Sequence, residues 1–339
     1  MDRKQRIKSY CLKIIICMLM IQLMAALVQP LTKLLSNPQI ASLVIYLETG
    51  RVVKRIPSET QPAQEETTMP PQPPQQIQEQ VNGISFSRED AQLIQVSNFS
   101  NFSMDIPGLL LSELSWDLTV QSPQVLILHS HATESYTQTA QNPYQPSAAY
   151  RTLDVQHNMV RVGEELKLAL EAKGIQVIHD TTLHDSPAYN DAYIRSRQTV
   201  EQWLEQYPSI SLVIDLHRDA TGDSSVGQLR TAVTVDGVSS AQLMLVVGSN
   251  AGGRTHPNWK SNLALATKLQ AQLEKRFPGI CRPISFRTER FNQDLSEGAL
   301  LIEVGAAGDT LEEALAAVSF LAEGIFDLAF GTVTADSTN

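Results

Sequence analysis

The chain has 339 residues, a net charge of −10 from 26 Lys and Arg against 36 Asp and Glu, and only 6% aromatic residues. With no long basic stretch beyond the amino terminus, that balance argues against nucleic acid as a partner. Three cysteines, Cys11, Cys17 and Cys281, are too few and too scattered for a disulfide framework or a cysteine-based zinc site.

Residues 1–13 form a basic tail carrying Arg3, Lys4, Arg6, Lys8 and Lys13. The apolar run 14–32 follows, and as a helix it would span roughly 28 Å, about one hydrocarbon core. Lys13 and Lys33 can reach the two interfaces, and the charge before the span keeps the amino terminus cytoplasmic and exports the rest. The expected topology is a single-pass cell-membrane protein with its main domain extracytoplasmic. A cleaved signal peptide with an apolar core over 14–28 is the competing reading, and it exports the same domain.

Residues 33–56 read as a membrane-proximal segment. The stretch 57–83, rich in Pro, Gln, Glu and Thr, buries too little apolar surface to offset its ordering entropy and reads as a disordered tether. Residues 84–121 carry scattered apolar positions and form an extension that packs on the main domain or docks elsewhere.

Over 122–330 the pattern becomes regular, before a short flexible tail, 331–339. The run VLIL after Pro123 reads as a buried strand. Apolar positions at helical spacing predict a helix over 157–172, stopped by Gly174. IQVIHD reads as a strand, 191–207 as a helix and SLVIDLH as a strand. LRTAVTV and AQLMLVVG are further strands, 258–277 a helix, ALLIEVG a strand, and 310–326 a closing helix with Asp309 as its expected N-cap. The alternation predicts an α/β fold: a mostly parallel or mixed central sheet with helices on both faces.

Three of these strands end in polar groups. VLILHSHATESY carries His131 and Glu134, VIDLH closes on His217, and LLIEVG carries Glu303. Two histidines and a glutamate suit Zn2+ with a position left for water, so His131, Glu134 and His217 are the candidate metal ligands. A carboxylate in an apolar run is costly unless it lines a site, so Glu303 is the candidate acid–base group. Its bland alternative is an ion pair with Arg218, Arg287 or Arg290. Strand alternation puts His129 on the same side as His131, so His129 is an alternative ligand or a supporting donor. The cluster HDTTLHD (His179, Asp180, His184, Asp185) reads as a groove lining or as solvated loop residues. His157 and His256 read as surface histidines. Ser130 and Ser135 lack the G-x-S-x-G elbow of a serine hydrolase.

HSHATESY, the HDTTLHD stretch with AYIRS, DLHRDA, VVGSNAG, PNWKSNLALA, RFNQDL and LLIEVG together resemble the stage II sporulation protein P family over roughly 124–326. The family's usual HTHTTE reads HSHATE here. The resemblance implies a membrane-anchored peptidoglycan hydrolase of forespore engulfment. It implies a zinc N-acetylmuramoyl-L-alanine amidase with endopeptidase activity on crosslinks, distantly similar to other zinc wall amidases. In those terms His131, Glu134 and His217 hold the metal and Glu303 is catalytic, and stage II sporulation proteins D and M are the implied partners. A zinc peptidase acting mainly on crosslinks and a non-catalytic wall-binding scaffold are the alternatives.

Overall fold

The computed structural model of the chain describes residues 84–331 apart from 115, 117, 221 and 224–226. The basic tail, anchor, membrane-proximal segment and tether expected over 1–83 lie outside the described residues, as does the tail from 332. No helix among the described residues is long and apolar enough to cross a membrane.

In chain order, β1 is Val96–Asn98, α1 Ile106–Leu111, β2 Val125–Leu128, α2 Met159–Glu171, β3 Val177–His179, α3 Ala192–Gln206 and β4 Leu212–Asp219. Two small hairpins follow, β5 (Gly222–Asp223) with β6 (Gly227–Gln228) and β7 (Ala232–Val235) with β8 (Val238–Ala241). Then come β9 (Leu243–Val247), α4 (Trp259–Arg276), β10 (Ile284–Phe286), β11 (Ala299–Ala306) and α5 (Leu311–Phe330).

Seven strands form one sheet in the order β1-β10-β9-β11-β4-β2-β3. Every pairing is parallel except β9 with β11, so the sheet is mixed and its direction reverses there. The extension 84–121 supplies the edge strand β1. The short strand β10 was not expected: three residues between polar neighbours are too few to show a period.

Alternation along the central strands sorts side chains onto two faces. Val125, Ile127, Leu212, Ile214, Leu216, Leu300, Ile302 and Val304 join one large apolar core with α2, α4 and α5. On the other face a smaller cluster, Leu126, Leu128, Val213 and Ala299, packs against Val200, Trp203 and Leu204 of α3. Helices therefore cover both faces, but unequally.

The helix ends follow local chemistry. Asn158 caps α2 by accepting from the Val160 N–H, and Gly174 takes the positive φ (85°) of the chain reversal after it. The expected cap of α5 needs correction. Thr310, not Asp309, is the N-cap, in a reciprocal capping box with Glu313. The Asp309 carboxylate is instead committed to the backbone N–H groups of Thr231 (2.8 Å) and Ala306 (2.7 Å) and to the Thr231 hydroxyl (2.8 Å), tying a loop to the end of β11.

Candidate metal centre

β2 stops at Leu128, and the chain enters a turn in which the Glu134 N–H donates to the His131 carbonyl (3.3 Å). That turn brings the two side chains together, with His131 Nδ1 3.7 Å from Glu134 Oε1. From the adjacent strand β4, His217 presents Nδ1 3.6 Å from Glu134 Oε2. One donor atom from each of His131, Glu134 and His217 lies within 4.8 Å of the other two. Glu303 on β11 is the register partner of His217 on β4, so both side chains leave the same face of the sheet. All this lies beyond or near the carboxyl ends of β2, β4 and β11, on the thinly covered face.

Each candidate ligand is braced. His217 Nε2 hydrogen-bonds Asp215 Oδ1 (2.8 Å), two residues back on the same face of β4. Asp215 in turn accepts from the Ser130 N–H (2.7 Å) and hydroxyl (2.5 Å). Glu134 Oε1 accepts from Arg151 Nη2 (3.2 Å), while Arg151 Nη1 donates to Asp185 (2.7 Å). Arg218 is buried and ties the turn by donating to the carbonyls of Ser135 (3.0 Å) and Tyr150 (2.9 Å). The His131 ring stacks on Tyr189 (centroids 4.5 Å apart) and meets the edge of Tyr193 (5.3 Å).

Burial and mutual charge set the protonation states. Burial pulls His131 down to about 4, and repulsion from His217 adds to it. Burial also opposes charge on His217, but the carboxylates of Asp215 and Glu134 outweigh it and hold the ring well above its ordinary value. Burial would raise Glu134, yet the hydrogen bond and charge of His217, then Arg218, bring it down to about 2. Glu303 goes the other way: burial pushes it up to about 8, with Glu134 and Asp219 adding and His217 opposing. Its Oε2 is buried without a hydrogen-bond partner. None of the three arginines that could have neutralised it does so. Arg218 pairs with Glu134, Arg287 with Glu289 and Arg290 with Asp294.

This donor set fits a divalent cation such as zinc. The donors are two imidazoles and a carboxylate, converging from a turn and a strand. The second nitrogen of His217 is held by a carboxylate, as ligating histidines usually require. Such a cation would also displace the extra proton on His217.

Several other sequence expectations change. His129 shares the parity of Ile127 and so points to the apolar face, away from His131, which the turn after Leu128 redirects. Its Nδ1 lies 2.9 Å from the Leu216 carbonyl and its Nε2 2.9 Å from His179 Nε2. Gly163 permits this, since a Cβ there would meet the two Nε2 atoms at 2.5 and 2.6 Å. His129 is therefore neither in the cluster nor a donor facing it.

The four titratable groups of the HDTTLHD cluster are held in hydrogen bonds rather than left as solvated loop residues. His179 Nδ1 faces Glu164 (3.1 Å), and Asp180 accepts from Trp203 Nε1 (2.8 Å). His184 Nδ1 faces the His129 carbonyl (2.8 Å), and Asp185 accepts from the Thr133 N–H and hydroxyl (3.1 and 2.6 Å). The contacts of His184 and Asp185 brace the 129–134 turn. His256, expected at the surface, is 1% exposed with neither ring nitrogen hydrogen-bonded. The candidate serines serve structure, Ser130 on Asp215 and Ser196, and Ser135 on Tyr144 (2.9 Å).

Asp215, Arg151 and Tyr193 were not singled out from the sequence. Asp215 had a signal, because i and i+2 on a strand share a face with His217. Tyr193 lies in the AYIRS motif but had no assigned role, and Arg151 arrives from a distant segment and had no signal.

A family model described as stage II sporulation protein P matches residues 35–326. Stage II sporulation protein P of Bacillus subtilis (strain 168) is 30% identical over 200 residues, 56% of this chain and 47% of that protein. The match thus spans about half the length of that relative. Among solved structures, the N-acetylmuramyl-L-alanine amidase Ami1 from Mycobacterium smegmatis is 11% identical, covering 62% of this chain and 98% of its own, with a TM-score of 0.36. The CwlD amidase from Clostridioides difficile, solved in complex with the GerS lipoprotein, is 11% identical, covering 61% of this chain and 95% of its own, with a TM-score of 0.37.

Proposed function

From the premise that the chain belongs to the stage II sporulation protein P family, we propose that it is a zinc-dependent N-acetylmuramoyl-L-alanine amidase that hydrolyses septal peptidoglycan during sporulation. The observation that carries the reading is the convergence of His131, Glu134 and His217 within 4.8 Å, on the same face as Glu303, whose Oε2 is buried without a hydrogen-bond partner. In this reading the three side chains hold Zn2+, which when bound polarises the scissile carbonyl and makes water acidic.

The chain's own residues supply the rest. Asp215 and Ser130 fix the His217 ring, so its Nδ1 stays aimed at the centre. Arg151 and Arg218 hold the Glu134 turn in place. Glu303, raised to about 8 by burial, can hold or release a proton near neutrality, so its carboxyl takes a proton from water and delivers it to the leaving amine. Tyr189 and Tyr193 flank His131 and keep solvent from that side.

The same reading makes the protein a single-pass membrane protein, anchored over 14–32, with the hydrolase outside the cytoplasm on the septal or engulfing membrane. Its partners are stage II sporulation proteins D and M, and cleavage of peptide crosslinks is a second activity of the same site. Support for these points is the family and the sequence pattern of the amino terminus.

The test is digestion of purified sacculi by the full chain, with and without chelator, followed by mass spectrometry of the products. Release of stem peptides with a free L-alanine amine, lost on chelation and restored by Zn2+, is the expected result. Cuts confined to crosslinks would make the protein a peptidase. Sacculus binding without turnover in a zinc-loaded preparation would make it a scaffold.

A further inference from the structure

Tyr193, in the first turn of α3, touches two worlds. Its ring stacks nearly parallel on His217 (centroids 6.4 Å, 11°) and also lines a cavity of about 500 Å³. The other walls come from the loops after β9 and β10, through Gly252, Arg254, Thr288, Phe291 and Asn292.

These walls are built in advance. Phe291 and Asn292 both sit in the left-handed region (φ 51° and 58°), which costs energy for residues with a Cβ. That conformation lets Asn292 Nδ2 donate to the Tyr193 carbonyl (2.8 Å) and to Ser196 Oγ (3.2 Å), locking the wall to α3. Across the cavity the Gly252 N–H donates to the Thr288 carbonyl (3.2 Å), and a Cβ at Gly252 would meet that oxygen at 2.6 Å.

The lining is also positive in a protein of net charge −10. Glu289 is neutralised by Arg287 (3.4 Å) and Arg290 by Asp294 (3.1 Å). Arg254 is exposed at the cavity and makes no hydrogen bond or ion pair among the described residues, so its guanidinium is open to a ligand. A planar fork of donors matches a carboxylate.

The geometry points to this cavity as the subsite for the peptide half of the substrate, with Arg254 anchoring a free carboxylate next to the scissile amide. The inference rests on the amidase reading and sharpens it. A muramoyl peptide carries such a carboxylate on its second residue when that residue is D-isoglutamate, and an uncharged amide when it is D-isoglutamine. Arg254 would make the enzyme select the acid, and Tyr193 would connect the subsite to the metal centre.

Two measurements test this. In the first, the full chain carrying Glu303→Gln binds the tripeptides L-alanyl-D-isoglutamyl-L-lysine and L-alanyl-D-isoglutaminyl-L-lysine in a calorimeter. The acid should bind roughly ten- to a hundredfold tighter. Arg254→Ala in the same background should abolish that preference, and Arg254→Lys should retain part of it. In the second, the ratio of kcat/KM for the corresponding muramoyl tripeptides, acid over amide, should fall to about one in Arg254→Ala. Equal binding of the two peptides, or a preference that survives Arg254→Ala, would overturn the proposal. If neither muramoyl peptide is hydrolysed, the amidase reading fails, while the binding comparison still decides the subsite.

Discussion

Ile302 and Glu303 are neighbours on β11, yet they face different environments. Ile302 is fully buried in the core formed with α2, α4 and α5. Glu303 faces α3 with His217, Asp215 and the 129–134 turn. The two faces of one sheet thus divide the labour, one stabilising the fold and the other holding charges that oppose it. Buried charge is tolerated on the second face because nearly every group is paired. His217 has two carboxylates, Glu134 has two arginines, and Asp215 has Ser130 and His217. Glu303 Oε2 is the exception, as expected of a group kept for reaction rather than for stability.

Two substitutions one residue apart test that division, and the larger effect belongs to the polar face. Glu303→Gln keeps shape while removing the acid–base function, so kcat on muramoyl peptides should fall by about 10²–10⁴-fold with the thermal transition retained. Wild-type turnover in Glu303→Gln would show that another group moves the proton. Ile302→Ala should do the reverse, losing about 2–5 kcal/mol in denaturant unfolding while the surviving folded protein keeps its kcat. A large loss of kcat per folded molecule would mean that the two faces are coupled through the strand.

The apolar face was largely legible in the sequence because its signal is periodic. VLIL, SLVIDLH and ALLIEVG mark their strands, and the helix patterns before Gly174 and after Thr310 mark theirs. The polar face was legible only where polar residues interrupt or directly follow an apolar strand, His217 and Glu303 within β4 and β11 and His131 and Glu134 just after β2. Alternation places His129 and His131 on one side, but the strand ends at Leu128 and the turn after it separates them. Arg151 reaches Glu134 from 17 residues away, and Asn292 reaches Tyr193 from 99. Such contacts depend on how loops cross the sheet, which no local period encodes.

Asp215→Asn sharpens the comparison at a smaller scale. The side chain keeps its size but loses the charge that holds His217 Nε2, so Zn2+ affinity should fall by about 10–100-fold in a chelator competition. The fold should tolerate the change, since the amide oxygen can still accept from the Ser130 N–H. Unchanged affinity would show that the His217 ring is positioned by its packing alone, with Tyr193 as the contact to examine next.

The smallest effect is expected at His256, which precedes α4 in the loop that carries Arg254. Its ring is buried with both nitrogens unpartnered, and burial lowers its pKa to about 4, with Asp294 opposing and Arg290 adding. The unfolded chain takes up a proton near 6.5, whereas the folded chain does so only near 4. Stability tied to the neutral ring is therefore complete above about pH 6.5 and is lost progressively as pH falls towards 4. One pH unit below 6.5 this amounts to about 1.4 kcal/mol. Urea unfolding at pH 7.5 and 5.5 should show wild type losing about that much more than His256→Gln. Comparing the pH difference within each protein cancels any constant cost of the substitution. It also cancels the acid sensitivity of the buried His129, which both proteins share. Parallel pH dependences would mean that the ring finds a proton acceptor in the folded protein, and the wall beneath the Arg254 loop would then be polar rather than dry.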